Sequence, residues 1–379
     1  MKIIPYGRQY IDNNDIQAVS KTLKKKLITS GEETIKFEKK INSFLDCKYS
    51  ATCNSGTSAI YLSFLAINLK KNDNIIMPSI NFISSYNIAK LIGANVYLAD
   101  VDRWTGQMTP QNVEDCCKKF KIRRAKVIVT MYNGGYPQNV EKFFKLKKKL
   151  NCYIIEDACH ALGAEYKYKN EKIKIGSCLH SDISTFSLHP LKTITTGEGG
   201  IVTTNSKKLD YRIKKYRSLG IKRFKNKHWS YDVTYTGLNF RMNEFQSALG
   251  ISQLKKIKRF IKSRKRIAIK YTKELKKISE IKVPNHLTQY SSSFHLYLIN
   301  LVTPNYEKKE ELIKFMKKNK IILQYHYIPI YKFKIFKGKH LSKNAELYFK
   351  STISLPIFHK LSLKEHNYII NKLNLFFNN

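Results

Sequence analysis

Three stretches of this sequence hold residues whose types and spacing could do chemistry together. The last of them, DISTFSLHPLKTITTGEGGIVTT at 182–204, contains Lys192. A strand-like run leads to Ser187, His189 and Lys192, and a turn rich in Thr and Gly leads into a second strand-like run. In a very basic chain a lone lysine is ordinarily a solvated surface charge. A lysine confined in an apolar turn is instead desolvated, and its lowered pKa makes it a nucleophile able to form a Schiff base. The middle stretch, YIIEDACHALGAEY at 153–166, ends an apolar run in Glu156 and Asp157. That puts a carboxylate at the C-terminal edge of a strand, where open α/β sheets bind ligands. Alone, such a pair is equally a helix cap or a metal ligand. The first stretch, NSGTSAIYL at 54–62, is a turn of small residues opening an apolar helix. Its free N–H groups and helix dipole would cradle a phosphate, although the same residues also make an ordinary cap. In combination the three supply a lysine for an imine, a carboxylate for a protonated pyridine ring and a phosphate cradle. Those are the parts a pyridoxal-phosphate site requires.

Such parts need a rigid frame. Strand-like runs at 75–77, 96–99, 126–131, 153–156, 183–187 and 201–204 alternate with helical patterns near 57–70, 82–92, 110–120 and 139–150. This alternation predicts an α/β fold, a mostly parallel central sheet covered on both faces. From residue 250 the pattern changes. Leu254, Ile257, Ile261, Ala268, Tyr271, Leu275 and Ile278 fall at helical spacing and predict one long amphipathic helix with a basic outer face. Strands at 294–302 and 321–327 and helices near 308–319, 343–350 and 363–376 then predict a smaller C-terminal α+β domain. The expected division is 1–250 for the N-terminal segment and large domain, and 251–379 for the connecting helix and small domain.

With 69 Lys plus Arg against 28 Asp plus Glu, the net charge is +41, which first suggests nucleic acid or an anionic membrane. The lysines are spread along the whole chain, in runs such as 24–26 and 147–149, with no nucleic-acid module beside them. We therefore expect neither nucleic acid nor membrane as a partner, and a positive field that attracts a phosphate-bearing substrate. No stretch is apolar enough for a signal peptide or a membrane span, so a cytoplasmic protein is expected. The 7 cysteines lack a CxxC spacing and are read as buried free thiols, with no metal site.

Over residues 4–360 the chain resembles the DegT/DnrJ/EryC1/StrS family of nucleotide-sugar aminotransferases. The resemblance rests on IPYGRQYID at 4–12, FE at 37–38, NSGTSA at 54–59, IIEDACHALGAEY at 154–166, FSLHPLKTITTGEGG at 186–200 and LNFRMNEFQSALGISQLKK at 238–256. It implies the aspartate-aminotransferase fold (fold type I) and a homodimer with shared active sites. It also implies that Lys192 carries pyridoxal 5'-phosphate, Asp157 pairs with the pyridine nitrogen, His160 lies near the phenolic oxygen and Phe82 stacks on the ring. Gly56, Thr57 and Ser187 would hold the phosphate, joined by Asn239 of the other subunit. Lysine at 192, where some members have histidine and act as dehydratases, implies transamination. Stretches 243–260, 324–333 and 353–363 most resemble members that use L-glutamate to aminate C4 of a UDP-linked 4-keto-6-deoxy sugar for pseudaminic acid. Gly56, Gly197 and MYNGGYP at 131–137 depart from that subgroup, leaving other keto-sugar nucleotides open. Tyr6, Thr29, His326 and Tyr327 are candidate sugar-nucleotide contacts. A non-catalytic cofactor-binding protein and a nucleic-acid-binding protein are the contrasting readings. Cofactor colour and its response to glutamate separate them.

Overall fold

The computed structural model describes residues 2–224, 226–284 and 290–378. The apolar runs assemble into an eight-stranded sheet. Its order is Tyr49–Cys53, Gly200–Thr204, Ile183–Ser187, Tyr153–Asp157, Val127–Met131, Asn74–Pro78, Asn95–Ala99 and Lys339–His340. Gly200–Thr204 runs antiparallel to both neighbours, and the remaining pairs are parallel. Alternate residues enter different cores: Ile75, Val127, Val129 and Ile155 pack on one side, while Ile76, Ile128 and Ile154 pack on the other. A strand buried on both faces needs apolar residues at every position, which is why these runs do not alternate. Each such side chain contributes roughly 1.5–3 kcal/mol on burial.

Helices Gly56–Ala66, Ser84–Ile92, Pro110–Phe120 and Val140–Leu150 cover the sheet near their predicted positions. Helices Asn13–Leu23, Glu32–Leu45, Lys207–Arg217 and Glu244–Leu254 add to them. Glu32–Leu45 starts at Gly31, which has no capping side chain. The buried Glu244 carboxylate caps it from a distance, accepting from the Glu33 and Thr34 N–H groups at 2.6 and 3.3 Å. Any Cβ on Gly31 would meet that carboxylate oxygen at 2.8 Å. Both residues therefore serve one long-range cap, in which a negative charge meets the positive end of a helix.

The long C-terminal helix spans Ile257–Leu275 and is separate from Glu244–Leu254. Its buried face holds Ile267, Ala268, Tyr271 and Leu275 against an antiparallel sheet of Ile281–Lys282, Tyr297–Leu301 and Thr352–Leu355. Helices Tyr306–Lys318 and Leu363–Asn378 complete this α+β unit. The chain crosses the expected division at 250 twice. Ile4 pairs with Ile321 and joins the small core, while Lys339–His340 pairs with Asn95–Ala99 at the edge of the large sheet.

The strand expected over 321–327 does not form. The segment is extended but makes only two isolated bridges, Ile4 with Ile321 and Gln324 with Ser354. Beyond Gln324 it leaves the sheet, held by the Tyr348 hydroxyl donating to the His326 carbonyl at 2.8 Å and by Asn133 Nδ2 donating to Tyr348 at 2.6 Å. Buried side chains thus replace a ladder partner, and His326 and Tyr327 are carried toward the sheet edge.

Candidate active site

Parallel strands bring their C-terminal ends to one edge. Cys53, Pro78, Met131, Asp157 and Ser187 end their strands there, and Gly200 begins its antiparallel strand there. A cavity of about 350 Å³ opens at this edge, beneath His295, His326 and Tyr327 from the small unit. Tyr6, Gly56, Thr57, Phe82, Asp157, His160, Ser187, Lys192, His326 and Tyr327 all line it. Thr29 and Asn239 do not. Both are exposed, paired by isolated bridges with Asn243 and Ser218 respectively. Within this single chain, Thr29 lies outside the cavity that Tyr6, His326 and Tyr327 line.

Lys192 sits in the turn between Ile183–Ser187 and Gly200–Thr204, and the threonines of TITTGEGG close that turn. Thr195 Oγ1 and the Thr196 N–H both donate to the Leu188 carbonyl, at 2.9 and 3.0 Å. The Gly197 N–H donates to Thr195 Oγ1 at 2.9 Å, and Gly197 adopts φ 80°, which suits glycine. No carboxylate pairs with the Lys192 amine among the described residues. Burial holds its pKa below the usual lysine range, opposed by the nearby Cys159 and Asp157. A larger share of neutral amine is a better nucleophile and proton acceptor.

Glu156 and Asp157 are adjacent on a strand and so face opposite ways. Glu156 turns into the core, where the Tyr132 hydroxyl donates to it at 2.6 Å and the Ser184 hydroxyl also donates. Asp157 turns to the cavity. It accepts from Asn81 Nδ2 and Ser85 Oγ at 3.3 Å each, and from the Cys159 N–H at 3.4 Å. These neutral donors orient the carboxylate without cancelling its charge. Opposite, Ser55 caps helix Gly56–Ala66, its Oγ accepting from the Ser58 N–H at 3.1 Å. The first-turn N–H groups of Gly56 and Thr57 are left facing the cavity side as an anion cradle. A Cβ on Gly56 would lie 2.9 Å from Ser187 Cβ, so glycine lets the cradle close on Ser187.

His160 links the two halves of the site. The Gly134 N–H donates to its Nδ1 at 3.3 Å, so Nδ1 accepts and Nε2 carries the hydrogen. Nε2–H then donates to the Tyr327 hydroxyl at 2.7 Å, leaving the Tyr327 proton for another acceptor. Burial keeps His160 neutral, with its pKa well below the usual histidine value, and holds Tyr327 protonated. The Phe82 ring is 55% exposed at the cavity mouth, 5.9 Å from the Tyr327 ring. It is free to lie over a flat ligand. Asn81, Ser84, Ser85 and His295 belong to the site although sequence reasoning did not select them. Asn81 and Ser85 flank Phe82 in PSINFISS and carried a local cue, whereas His295 lay unmarked in an apolar run.

The same burial predicts a pH dependence of stability. An unfolded imidazole titrates near 6.5. Burial lowers His326 to about 3 and His366 to about 4, and holds His160 and His295 well down. The unfolded chain therefore binds protons that the folded chain refuses. Stability should be full above about pH 6.5 and fall as pH drops through the unfolded value, by about 1.4 kcal/mol per unit for each such histidine. Urea unfolding at pH 5 and pH 7.5 checks this, and an unchanged midpoint would contradict it.

These residues fit pyridoxal phosphate: the cradle matches a phosphate, Asp157 a protonated ring nitrogen, Phe82 a ring face and Lys192 a carbonyl carbon. A nucleophilic lysine facing a carboxylate and an anion cradle in one cavity defines a site for amine–carbonyl exchange, the chemistry of an aminotransferase. The chain belongs to the DegT/DnrJ/EryC1/StrS aminotransferase family, which it matches over residues 9–374. It is 35% identical over 373 residues to the UDP-4-amino-4,6-dideoxy-N-acetyl-β-L-altrosamine transaminase of Campylobacter jejuni subsp. jejuni serotype O:23/36 (strain 81-176), covering 97% of this chain and 96% of that one. The GDP-perosamine synthase of Escherichia coli O157:H7 is 31% identical over 381 residues, covering 100% of this chain and 99% of the relative. Among solved structures, Helicobacter pylori PseC, an aminotransferase involved in the biosynthesis of pseudoaminic acid, aligns with a TM-score of 0.91 and 31% identity over 100% of both chains. The chain is a sugar aminotransferase with the aspartate-aminotransferase fold (fold type I). Among the described residues no helix is long and apolar enough to cross a membrane.

Proposed function

We propose that this enzyme transfers the amino group of L-glutamate to C4 of a UDP-linked 4-keto-6-deoxy-N-acetylhexosamine, with pyridoxal 5'-phosphate held on Lys192. The product serves synthesis of a nonulosonic acid such as pseudaminic acid. The observation that carries the chemistry is the meeting of Lys192, Asp157 and the Gly56–Thr57 cradle in one cavity. The substrate rests on whole-length similarity to the Campylobacter jejuni transaminase and to Helicobacter pylori PseC. When bound, the cofactor supplies an electron sink for the carbon losing its proton. The Lys192 amine takes that proton as base and returns it as acid. Asp157 keeps a positive charge on the ring nitrogen, stabilising the charge that develops. Gly56, Thr57 and Ser187 would hold the phosphate, Phe82 would cover the ring, and His160, hydrogen-bonded to Tyr327, would lie near the phenolic oxygen. Tyr6, His326 and Tyr327, which line the same cavity, are the sugar contacts of this reading.

A homodimer with shared sites belongs to this reading. Its supports are the exposed Asn239, outside its own chain's cavity, and the exposed Ile16, Leu23, Leu27, Ile28 and Ile35 on the N-terminal helices and the connection between them. Mixing inactive Lys192→Ala and Asn239→Ala subunits should restore part of the activity, measured as 2-oxoglutarate release. No recovery would reject the shared site.

Similarity to GDP-perosamine synthase favours a second reading, a GDP-linked 4-keto sugar. Incubation with glutamate and separate UDP- and GDP-linked 4-keto-6-deoxy sugars, with NMR of the product, decides between them. We expect a C4 amine on the UDP-sugar; turnover of the GDP-sugar alone would establish the second reading instead.

A further inference from the structure

Behind the Lys192 turn lies a second, much smaller cavity, of about 10 Å³, room for roughly one water-sized body. Residues 190–195 other than Leu191 form one wall, and Arg8, Tyr10, Gln253, Arg264 and His359 are among those that form the rest. We propose that this cavity is a binding site for a small inorganic anion of halide type, bound by Arg264 and His359.

Charge balance carries the inference. Arg264 is 3% exposed, yet no carboxylate pairs with it among the described residues. Its Nη1 is spent on the carbonyls of Phe294, His295 and Ile357, at 3.4, 3.1 and 2.8 Å. Its Nε, a fixed donor, finds no acceptor among the described residues, and neither ring partner nor acceptor meets His359 Nδ1 by hydrogen bond. A buried cation without a counter-charge is costly, and burial lowers the Arg264 pKa to about 10. Burial first, and then the neighbouring Arg259, Lys360, Arg264 and Arg266, hold His359 down to about 4.

The nearby carboxylates are already engaged. Asp12 and Asp15 pair with Lys256 at 2.7 and 2.6 Å, and Gln253 Nε2 donates to Asp15 at 2.7 Å. An anion would supply the missing charge, accept from Arg264 Nε and accept from His359 if its hydrogen is on Nδ1. The small volume favours a monatomic anion over phosphate, sulfate or a carboxylate. Because the wall at 190–195 carries Lys192, bound halide would brace that turn from behind.

The test uses the full-length protein. Crystals soaked in sodium bromide should show an anomalous peak within hydrogen-bond distance of Arg264 Nε. The thermal midpoint should rise with sodium chloride above its value in sodium gluconate at equal ionic strength, following ligand linkage. Arg264→Ala takes the donor from three carbonyls and so mixes folding with binding; His359→Phe, which removes the Nδ1 group, is therefore the working variant. It should flatten the chloride response while remaining folded. Bromide absent from the cavity, or identical midpoints in the two salts, would overturn the proposal, leaving the site to water.

Discussion

Lys192→Ala is expected to abolish transamination, with a loss of ~10³-fold or more in kcat/KM, at least about 4 kcal/mol of transition-state stabilisation. Among the described residues lining the cavity, the amine is the only group that can both bond to a carbonyl carbon and shuttle a proton. His160, His295 and His326 are held neutral by burial, and the Cys159 thiol is pushed well up by burial and by Asp157. None of them can replace it. Removing the lysine should leave the fold intact, since no ion pair to it is broken and a partly buried cation is relieved. The checks are 2-oxoglutarate release, visible absorbance of purified protein, and the thermal midpoint. Lys192→Arg sharpens the result, because a guanidinium keeps the charge but cannot lose its proton, so it too should be inactive. Normal turnover by either variant would remove Lys192 from the chemistry.

Asp157→Asn is the second large effect, expected to cut kcat ~10²–10³-fold, the range for deleting one preorganised electrostatic group. The substitution is nearly isosteric but doubly harmful. It removes the charge that would keep a ring nitrogen protonated. It also turns an acceptor into an amide, one of whose hydrogens confronts Asn81 Nδ2 or Ser85 Oγ, donors that now bond to Asp157 Oδ2 at 3.3 Å. Weaker cofactor retention should accompany the slower rate, read as a higher concentration of added pyridoxal phosphate needed for half-maximal activity. By contrast Glu156→Gln, one residue away, should leave kcat nearly unchanged and lower stability, because Glu156 serves Tyr132 and Ser184 in the core. Equal kinetic damage from both substitutions would contradict the opposed facing of the two carboxylates.

The contrast between Glu156 and Asp157 marks where sequence reasoning stops. Period-two geometry requires the pair to face opposite ways, but nothing local says which face is the cavity. The same holds for Asn81 and Ser85, which reach Asp157 across 76 and 72 residues of chain. Asn81 lies in the turn between strand Asn74–Pro78 and helix Ser84–Ile92, and Ser85 in the first turn of that helix; both meet Asp157 because sheet order sets Val127–Met131 alone between the two strands. The failed strand at 321–327 has a related cause. Its apolar pattern suits a ladder, yet Tyr348 and Asn133 hold its backbone where a neighbouring strand would have to lie.

By itself the sequence determined the frame and the reacting groups. Unbroken apolar runs can be satisfied only by strands covered on both faces, and a lysine in a threonine-closed turn between two of them must be desolvated. Those are local properties, written in residue type and spacing. Tertiary structure decided the company Lys192 keeps. It turned Asp157 inward, brought Asn81, Ser85, His295 and Tyr327 to the edge, fixed the His160 tautomer through the Gly134 N–H, and left Thr29 outside. Strand order and the docking of the small unit set those meetings, and both arise from side-chain packing between segments far apart in the chain.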